Sequence, residues 1–299
     1  MATTNVMVNP TSLQTLRSKL RDYYTLTKPE VNLLILMTTS AGYYLGTRGP
    51  VRVSGLVNTL AGTLLVASGT ATLNQWMERV WDGRMRRTAS RPLPSGRLSA
   101  REAFLFGVVL SLVGGLYLAI AVNGLSALLA ISTLLSYLLI YTPLKRKTPL
   151  CTLLGAFPGA MPTLIGWAGA AAGVQRQAWF LFAILFLWQF PHFLAIALMY
   201  RDDYARAGYR MLPGFDQDSR FTRAEIFGFT VILVITTMLP VAGRGGPVYL
   251  SAMALAGTFM LYHVIKLTKS TSTVLASRVV HASVLYLPVV LGLMIVCKA

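Results

Sequence analysis

The sequence predicts an all-α membrane protein, a bundle of nine transmembrane helices with the N-terminus cytoplasmic and the C-terminus outside. Three observations predict it. The 299 residues are 55% hydrophobic and only 12% charged, with a mean hydropathy of +0.59, far more apolar than a soluble domain. Apolar runs close to the roughly 17–25 residues that a bilayer span requires recur along the whole chain. Finally, 22 of the 27 Lys and Arg residues fall on one side of the alternation that nine spans impose, as the positive-inside rule demands.

Taken in order, residues 1–25 hold no apolar run long enough for a signal peptide. They are expected to form a short cytoplasmic leader carrying Arg17, Lys19 and Arg21, and residues 26–299 a single intramembrane domain. The expected spans are Val31–Leu45, Gly55–Trp76, Ala103–Val122, Leu125–Tyr141, Leu150–Ala172, Ala178–Tyr200, Ile226–Ala242, Val248–Ile265 and Ser277–Val296. Arginines crowd the loop after the second span, from Arg79 to Arg101, and the loop after the sixth, from Arg201 to Arg223. Lys145, Arg146 and Lys147 follow the fourth span. Only Arg48, Arg52, Arg176, Arg244 and Lys298 fall on the opposite face.

All ten acids lie on the arginine-rich side, which the positive-inside rule does not require because acids contribute little to orientation. Some chemistry on that face uses carboxylates. The net charge of +17 does not point to nucleic acid, because loop topology and an anionic inner leaflet account for it. The two cysteines, Cys151 and Cys297, begin the fifth span and end the ninth on opposite sides, so no disulfide is expected. Small residues at helical spacing, Gly155, Gly159, Gly166 and Gly169, suit close helix packing in the fifth span.

The candidate site begins with Asn74, Glu78 and Asp82. Each four-residue step advances about 40° round a helix, so the three oxygen-bearing side chains share one face. Arg84, Arg86, Arg87 and Arg91 follow within ten residues of Asp82, and Pro92 and Pro94 stiffen the turn after Arg91. Oxygen ligands beside guanidinium forks make a place for divalent cations and a polyphosphate, since Mg²⁺ takes one or two carboxylates and completes its shell with water and phosphate oxygens. Asp202 and Asp203 form a second acidic motif four spans later, where the two long loops could face one another across a cavity mouth. The candidate metal ligands are Asn74, Glu78, Asp82 and at least one of Asp202 and Asp203; the candidate phosphate contacts are Arg87, Arg91, Lys145, Arg146 and Arg201. His192, inside the sixth span, is an ionisable group at membrane depth and a substrate-contacting candidate by that placement.

Asn74-Gln-Trp-Met-Glu78-Arg-Val-Trp-Asp82, Arg87-Thr88, Arg91-Pro-Leu-Pro94, Tyr141-Thr-Pro-Leu-Lys145, Pro191-His-Phe193 and Asp203-Tyr204 together resemble the UbiA superfamily of intramembrane prenyltransferases. Within it, the Met85-x-Arg87-Thr88 element and Pro191-His-Phe193 look like the haem-modifying branch. The resemblance runs from about Leu16 to the last span. It implies transfer of a farnesyl group from farnesyl diphosphate to a vinyl group of haem B, with hydration, giving haem O for terminal oxidase assembly, with Mg²⁺ as cofactor. His192, Trp188 and Phe193 are then candidates for the acceptor, and aromatic faces such as Trp76 could shield an allylic cation. A haem A synthase or terminal oxidase assembly proteins are the partners it suggests; a bacterial inner membrane is expected in preference to a mitochondrial one because the short leader is only weakly like a transit peptide. The alternatives are a UbiA-type enzyme with another aromatic or tetrapyrrole acceptor, a membrane transporter, and a haem-binding assembly factor. Carboxylates confined to one face, away from mid-depth, speak against the transporter.

Overall fold

A computed structural model describes residues 10–171, 173–239 and 246–298, with the side chains of residues 10–15 not described. The described residues form helices and no strand. Eleven helices are named here in chain order: α1 Pro10–Leu26, α2 Pro29–Gly46, α3 Val53–Asp82, α4 Ala100–Ala121, α5 Gly124–Leu144, α6 Cys151–Ala170, α7 Arg176–Met199, α8 Arg201–Arg206, α9 Arg220–Met238, α10 Pro247–Lys269 and α11 Thr273–Val296. Eight of them, α3 to α7 and α9 to α11, are long and apolar enough to cross a membrane. The first expected span is the helix α2, but Glu30, Asn32, Thr38, Thr39 and Ser40 dilute its apolarity. The end of the seventh expected span, with Ala242, lies outside the described residues, as does Ala172.

Local chemistry sets the ends of these helices. Pro29 and Pro247 open α2 and α10, where a missing N–H costs nothing. Ser99 and Glu102 cap α4 reciprocally, side chain to backbone in both directions. The Asn123 side chain accepts from Ser126 N at 2.8 Å to start α5. Residues Ser136–Tyr141 of α5 form a π-helical turn, a widening often found at functional sites. The Thr142 hydroxyl donates to Tyr137 O at 2.9 Å across that turn, and Pro143 follows.

Helices α6 and α7 sit at the centre, with 61% of the span-forming stretch of each buried against 28–44% for the other six. α6 packs on α2, α3, α5 and α7; α7 packs on α6, α9 and α11. The larger core joins Leu164, Ile184, Leu194, Leu233, Met260 and Tyr286. A second, formed by Val66, Leu73, Leu118 and Leu138 among others, holds α3, α4 and α5 together. The α2–α6 seam is the tightest. A Cβ on Gly166 would strike Thr39 O, and one on Gly42 would strike Thr163 O, so the backbones approach only because both positions are glycine.

The segment before residue 26 folds onto the loop after α3. Leu26 is fully buried with Leu93, Leu98 and Ala103, and Arg97 Nε reaches both carboxylate oxygens of Asp22 at 2.9 and 3.1 Å. The amide of Gln75 donates to Leu26 O at 2.8 Å and ties this corner to α3.

Candidate active site

Asn74, Glu78 and Asp82 emerge on one face of the last turns of α3, all less than 7% exposed. Burying oxygen ligands so deeply is costly unless each is paired, and each is paired with a cation from a different segment. Lys28 Nζ, from the start of α2, donates to Asn74 Oδ1 at 3.0 Å. Lys145, at the end of α5, pairs with Glu78. Arg91 donates to Asp82 Oδ2 at 2.7 Å.

The orientation of Asn74 follows from counting protons. The single proton of the Thr142 hydroxyl goes to Tyr137 O, so Thr142 Oγ1 accepts from Asn74 Nδ2 at 3.1 Å. The amide oxygen is thereby left facing Lys28. Lys28 itself adopts φ 51°, in the left-handed region, where a lysine needs support from its surroundings. Burial, with the charge of Arg91, pushes its ammonium down to about 7. Burial would also lower Lys145, but the adjacent Glu78 carboxylate overrides it and holds the ammonium well above its ordinary range.

The second acidic motif docks against the first loop. Met85 is buried with Ala207 and Tyr209, and Arg210 N donates to Lys145 O at 2.7 Å. Asp203, 9% exposed, accepts from the backbone N–H of Arg87 at 3.4 Å and pairs with Arg206. The Arg87 guanidinium stacks over Tyr200 at 5.1 Å, and Arg146 over Trp81 at 3.8 Å. Lys145 Nζ lies 4.7 Å from the Tyr141 ring and 5.7 Å from that of Tyr209. A cavity of about 220 Å³ opens here, lined by Glu78, Trp81, Thr142, Arg146 and Tyr209 among others.

The structure thus brings together Asn74, Glu78, Asp82, Arg91 and Lys145, and places Asp203 and Arg87 alongside. It does not bring in Asp202, which is exposed, or Arg201, whose guanidinium donates to Gln217 O at 3.2 Å. Trp76 lines the cavity beside Glu78 while its ring packs against that of Phe104 on α4, 4.9 Å away. His192, Trp188 and Phe193 form a separate aromatic group on α7. The His192 ring stacks on Trp188 at 4.6 Å and meets Phe193 edge-on at 5.2 Å. Lys28, Thr142 and Tyr209 escaped sequence reasoning. Lys28 reads as one more positive-inside residue, and its only other signal is the Pro29 that fixes the chain direction beside it.

Among the described residues no three carboxylate, imidazole or thiol groups converge as a closed metal cage. The row nevertheless fits a hard divalent ion. Its donors are oxygens, a positive group already stands at each of them, and the Tyr209 hydroxyl is buried beside Glu78 without a well-formed hydrogen bond. An ion bound here would need oxygens from water or a phosphate to complete its shell, as Mg²⁺ commonly does.

Residues 35–287 match the UbiA prenyltransferase family. The chain is 48% identical over 286 residues to the protoheme IX farnesyltransferase of Solibacter usitatus, an alignment covering 92% of this chain and 98% of that protein. Among solved structures, a digeranylgeranylglyceryl phosphate synthase superposes with a TM-score of 0.76 at 20% identity, covering 94% of this chain and 98% of the other. A UbiA homologue from Archaeoglobus fulgidus bound to DMAPP and Mg²⁺ superposes with a TM-score of 0.67 at 17% identity, covering 91% and 99%. The two structures share the fold, and the matched length together with the sequence identity settles membership: the chain is a multi-pass membrane protein of the UbiA prenyltransferase family.

Proposed function

We propose that the protein transfers the farnesyl group of farnesyl diphosphate to a vinyl group of haem B, with hydration, giving haem O. The observation that carries this reading is the row of three buried oxygen ligands, each paired with a cationic side chain from a different segment. An allylic diphosphate ionises only when the charge growing on its leaving group is stabilised, and preorganised cations in a dry site do this most effectively. Lys28, Lys145 and Arg91 are poised to turn from their carboxylate and amide partners to diphosphate oxygens, with Arg87 and Arg146 at the rim. Asn74, Glu78, Asp82 and Asp203 would hold Mg²⁺; if the second loop closes, Asp202 would join them and Arg201 would join the diphosphate contacts. Bound Mg²⁺ supplies Lewis-acid stabilisation of the departing diphosphate.

The choice of haem B rests on the relatives' activity and on the aromatic group around His192 on α7, within the membrane-spanning part of the chain. Farnesyl chain and porphyrin both partition into lipid, so both can enter laterally. The charge distribution supports nine spans with α2 as the first, residues 1–25 and the acidic loops in the cytoplasm, and the C-terminus outside. A bacterial inner membrane is the expected location.

Membranes containing the protein, supplied with Mg²⁺, farnesyl diphosphate and haem B, are expected to produce haem O, read by chromatography and mass. Absence of product while a related enzyme makes it under the same conditions would refute the acceptor assignment. Glu78→Ala or Asp82→Ala is expected to abolish product at unchanged protein level.

A further inference from the structure

We propose that Ser283 is a positioning residue that locks His192 in its Nδ1–H tautomer, so that Nε2 is presented as a neutral electron-pair donor to the iron of the acceptor porphyrin. The inference rests on the haem reading above and adds to it the group that prepares the ligand.

Ser283 lies on α11 where that helix crosses α7, and none of it is exposed. It holds two rings of α7 at once. Its backbone oxygen accepts from Trp188 Nε1 at 2.7 Å, and its hydroxyl oxygen lies 2.8 Å from His192 Nδ1. The same hydroxyl oxygen lies 2.7 Å from Val280 O. Two oxygens that close require a proton between them, and Val280 O has none to give. The Ser283 proton is therefore committed to Val280 O. The contact with His192 also requires a proton, and only Nδ1 is left to supply it. Hence Nδ1 carries the hydrogen and Nε2 carries the lone pair.

Nothing else at the ring competes with this assignment. No carboxylate pairs with His192 among the described residues, and Nε2 makes no hydrogen bond there. Stacking on Trp188, 4.6 Å away and tilted by 17°, fixes the plane of the imidazole. Joining α7 to α11 does not need the histidine, because Trp188 already bonds to the same serine. A histidine that binds a metal through one nitrogen ordinarily donates its other N–H to an oxygen, which sets the tautomer and raises the basicity of the ligand. The Val280–Ser283–His192 chain has that form, with each bond polarising the next. His192 also lies seven residues before the end of α7 at Met199, or roughly 10 Å along the helix axis, leaving depth for a macrocycle whose edge reaches the diphosphate.

The test uses full-length wild type, Ser283→Ala and His192→Ala in lipid nanodiscs, without farnesyl diphosphate so that no turnover occurs. Ferric haem B and metal-free protoporphyrin IX are titrated separately, with the Soret band and electron paramagnetic resonance reporting the iron's ligands. Wild type is expected to give an imidazole-ligated spectrum that His192→Ala loses. Ser283→Ala is expected to weaken haem B binding by about 10–100-fold, the usual effect of losing the partner of a metal-bound histidine, and to leave metal-free protoporphyrin binding unchanged. Equal weakening of both porphyrins would make Ser283 a packing residue and overturn the proposal. So would a haem B affinity unchanged in Ser283→Ala, or a wild-type spectrum that His192→Ala does not alter. Haem O production by the wild type is measured separately, so a failure of ligation is not confused with a failure of the acceptor reading.

Discussion

Because Asn74, Glu78 and Asp82 are already held by Lys28, Lys145 and Arg91, a divalent ion entering alone must break those contacts and strand the cations. Hydrogen bonds to charged groups are worth about 1.5–3 kcal/mol each. Displacing Lys145 and Arg91 therefore costs about 3–6 kcal/mol that a lone ion does not recover. A diphosphate arriving with the ion gives the same two cations new anionic partners, so most of that cost is returned. At 1.4 kcal/mol per factor of ten, even the lower figure predicts that a prenyl diphosphate raises metal affinity roughly a hundredfold. Linkage requires the metal to raise diphosphate affinity by the same factor. The assay is a Mn²⁺ titration of the purified protein, following the resonance of the free ion with and without a non-ionising thiodiphosphate analogue, corrected for their complex in solution. Lys145→Met supplies a signature of opposite signs: the ion alone should bind more tightly, because Glu78 is released, while the analogue binds more weakly. Mn²⁺ affinity that is the same with and without analogue would refute the exchange.

Three further expectations follow from the same geometry. In thermal unfolding, Lys145→Met should lose about 3–5 kcal/mol, the effect of stranding a buried carboxylate, and adding Glu78→Gln should recover most of it without restoring activity. Lys28 should couple binding to pH. Its folded pKa of about 7 lies below its ordinary value of 10.5, so the unfolded chain binds more protons between those limits. Stability should therefore rise as pH increases from about 7 towards 10.5, and the penalty for burying the charge is fully present below 7. Diphosphate binding above pH 7 should in turn take up a proton and weaken as pH rises, an effect measured by calorimetry in buffers of different ionisation enthalpy and absent in Lys28→Arg. Finally, Gly166→Val should wedge α6 away from α2 at Thr39 O and reduce the yield of folded protein, whereas Gly228→Val, with open space around its Cβ position, should not.

Helices were legible because the bilayer imposes a length and a composition on them, and both are written locally. Among the described residues, the expected spans fall within or close to the observed helices. Where local signals carry no weight, the reading thins out. Asn32 and its neighbours make α2 marginal by hydropathy, yet its glycine seam with α6 needs a residue more than a hundred positions away to be recognised. The segment 10–26 carries no span signal, since its place depends on Leu26 meeting Leu93 and on Arg97 meeting Asp22.

The site divides along the same line. Asn74, Glu78 and Asp82 announce themselves by spacing, because four-residue steps on a helix need no tertiary knowledge. Of the cations opposite them, Arg91 and Lys145 are among the contacts the sequence predicts, whereas Lys28 is not, because a lysine at a membrane boundary is expected for topological reasons whatever it touches. Only packing distinguishes half-buried Lys28 and buried Lys145, both held on oxygen ligands, from Arg201, which turns to a loop carbonyl. Ser283 is the extreme case. Serine in an apolar helix commonly bonds back to its own backbone, as this one does to Val280 O. That local bond is what gives it a role at a distance, since spending the hydroxyl proton on Val280 leaves an acceptor for His192, ninety-one residues away along the chain.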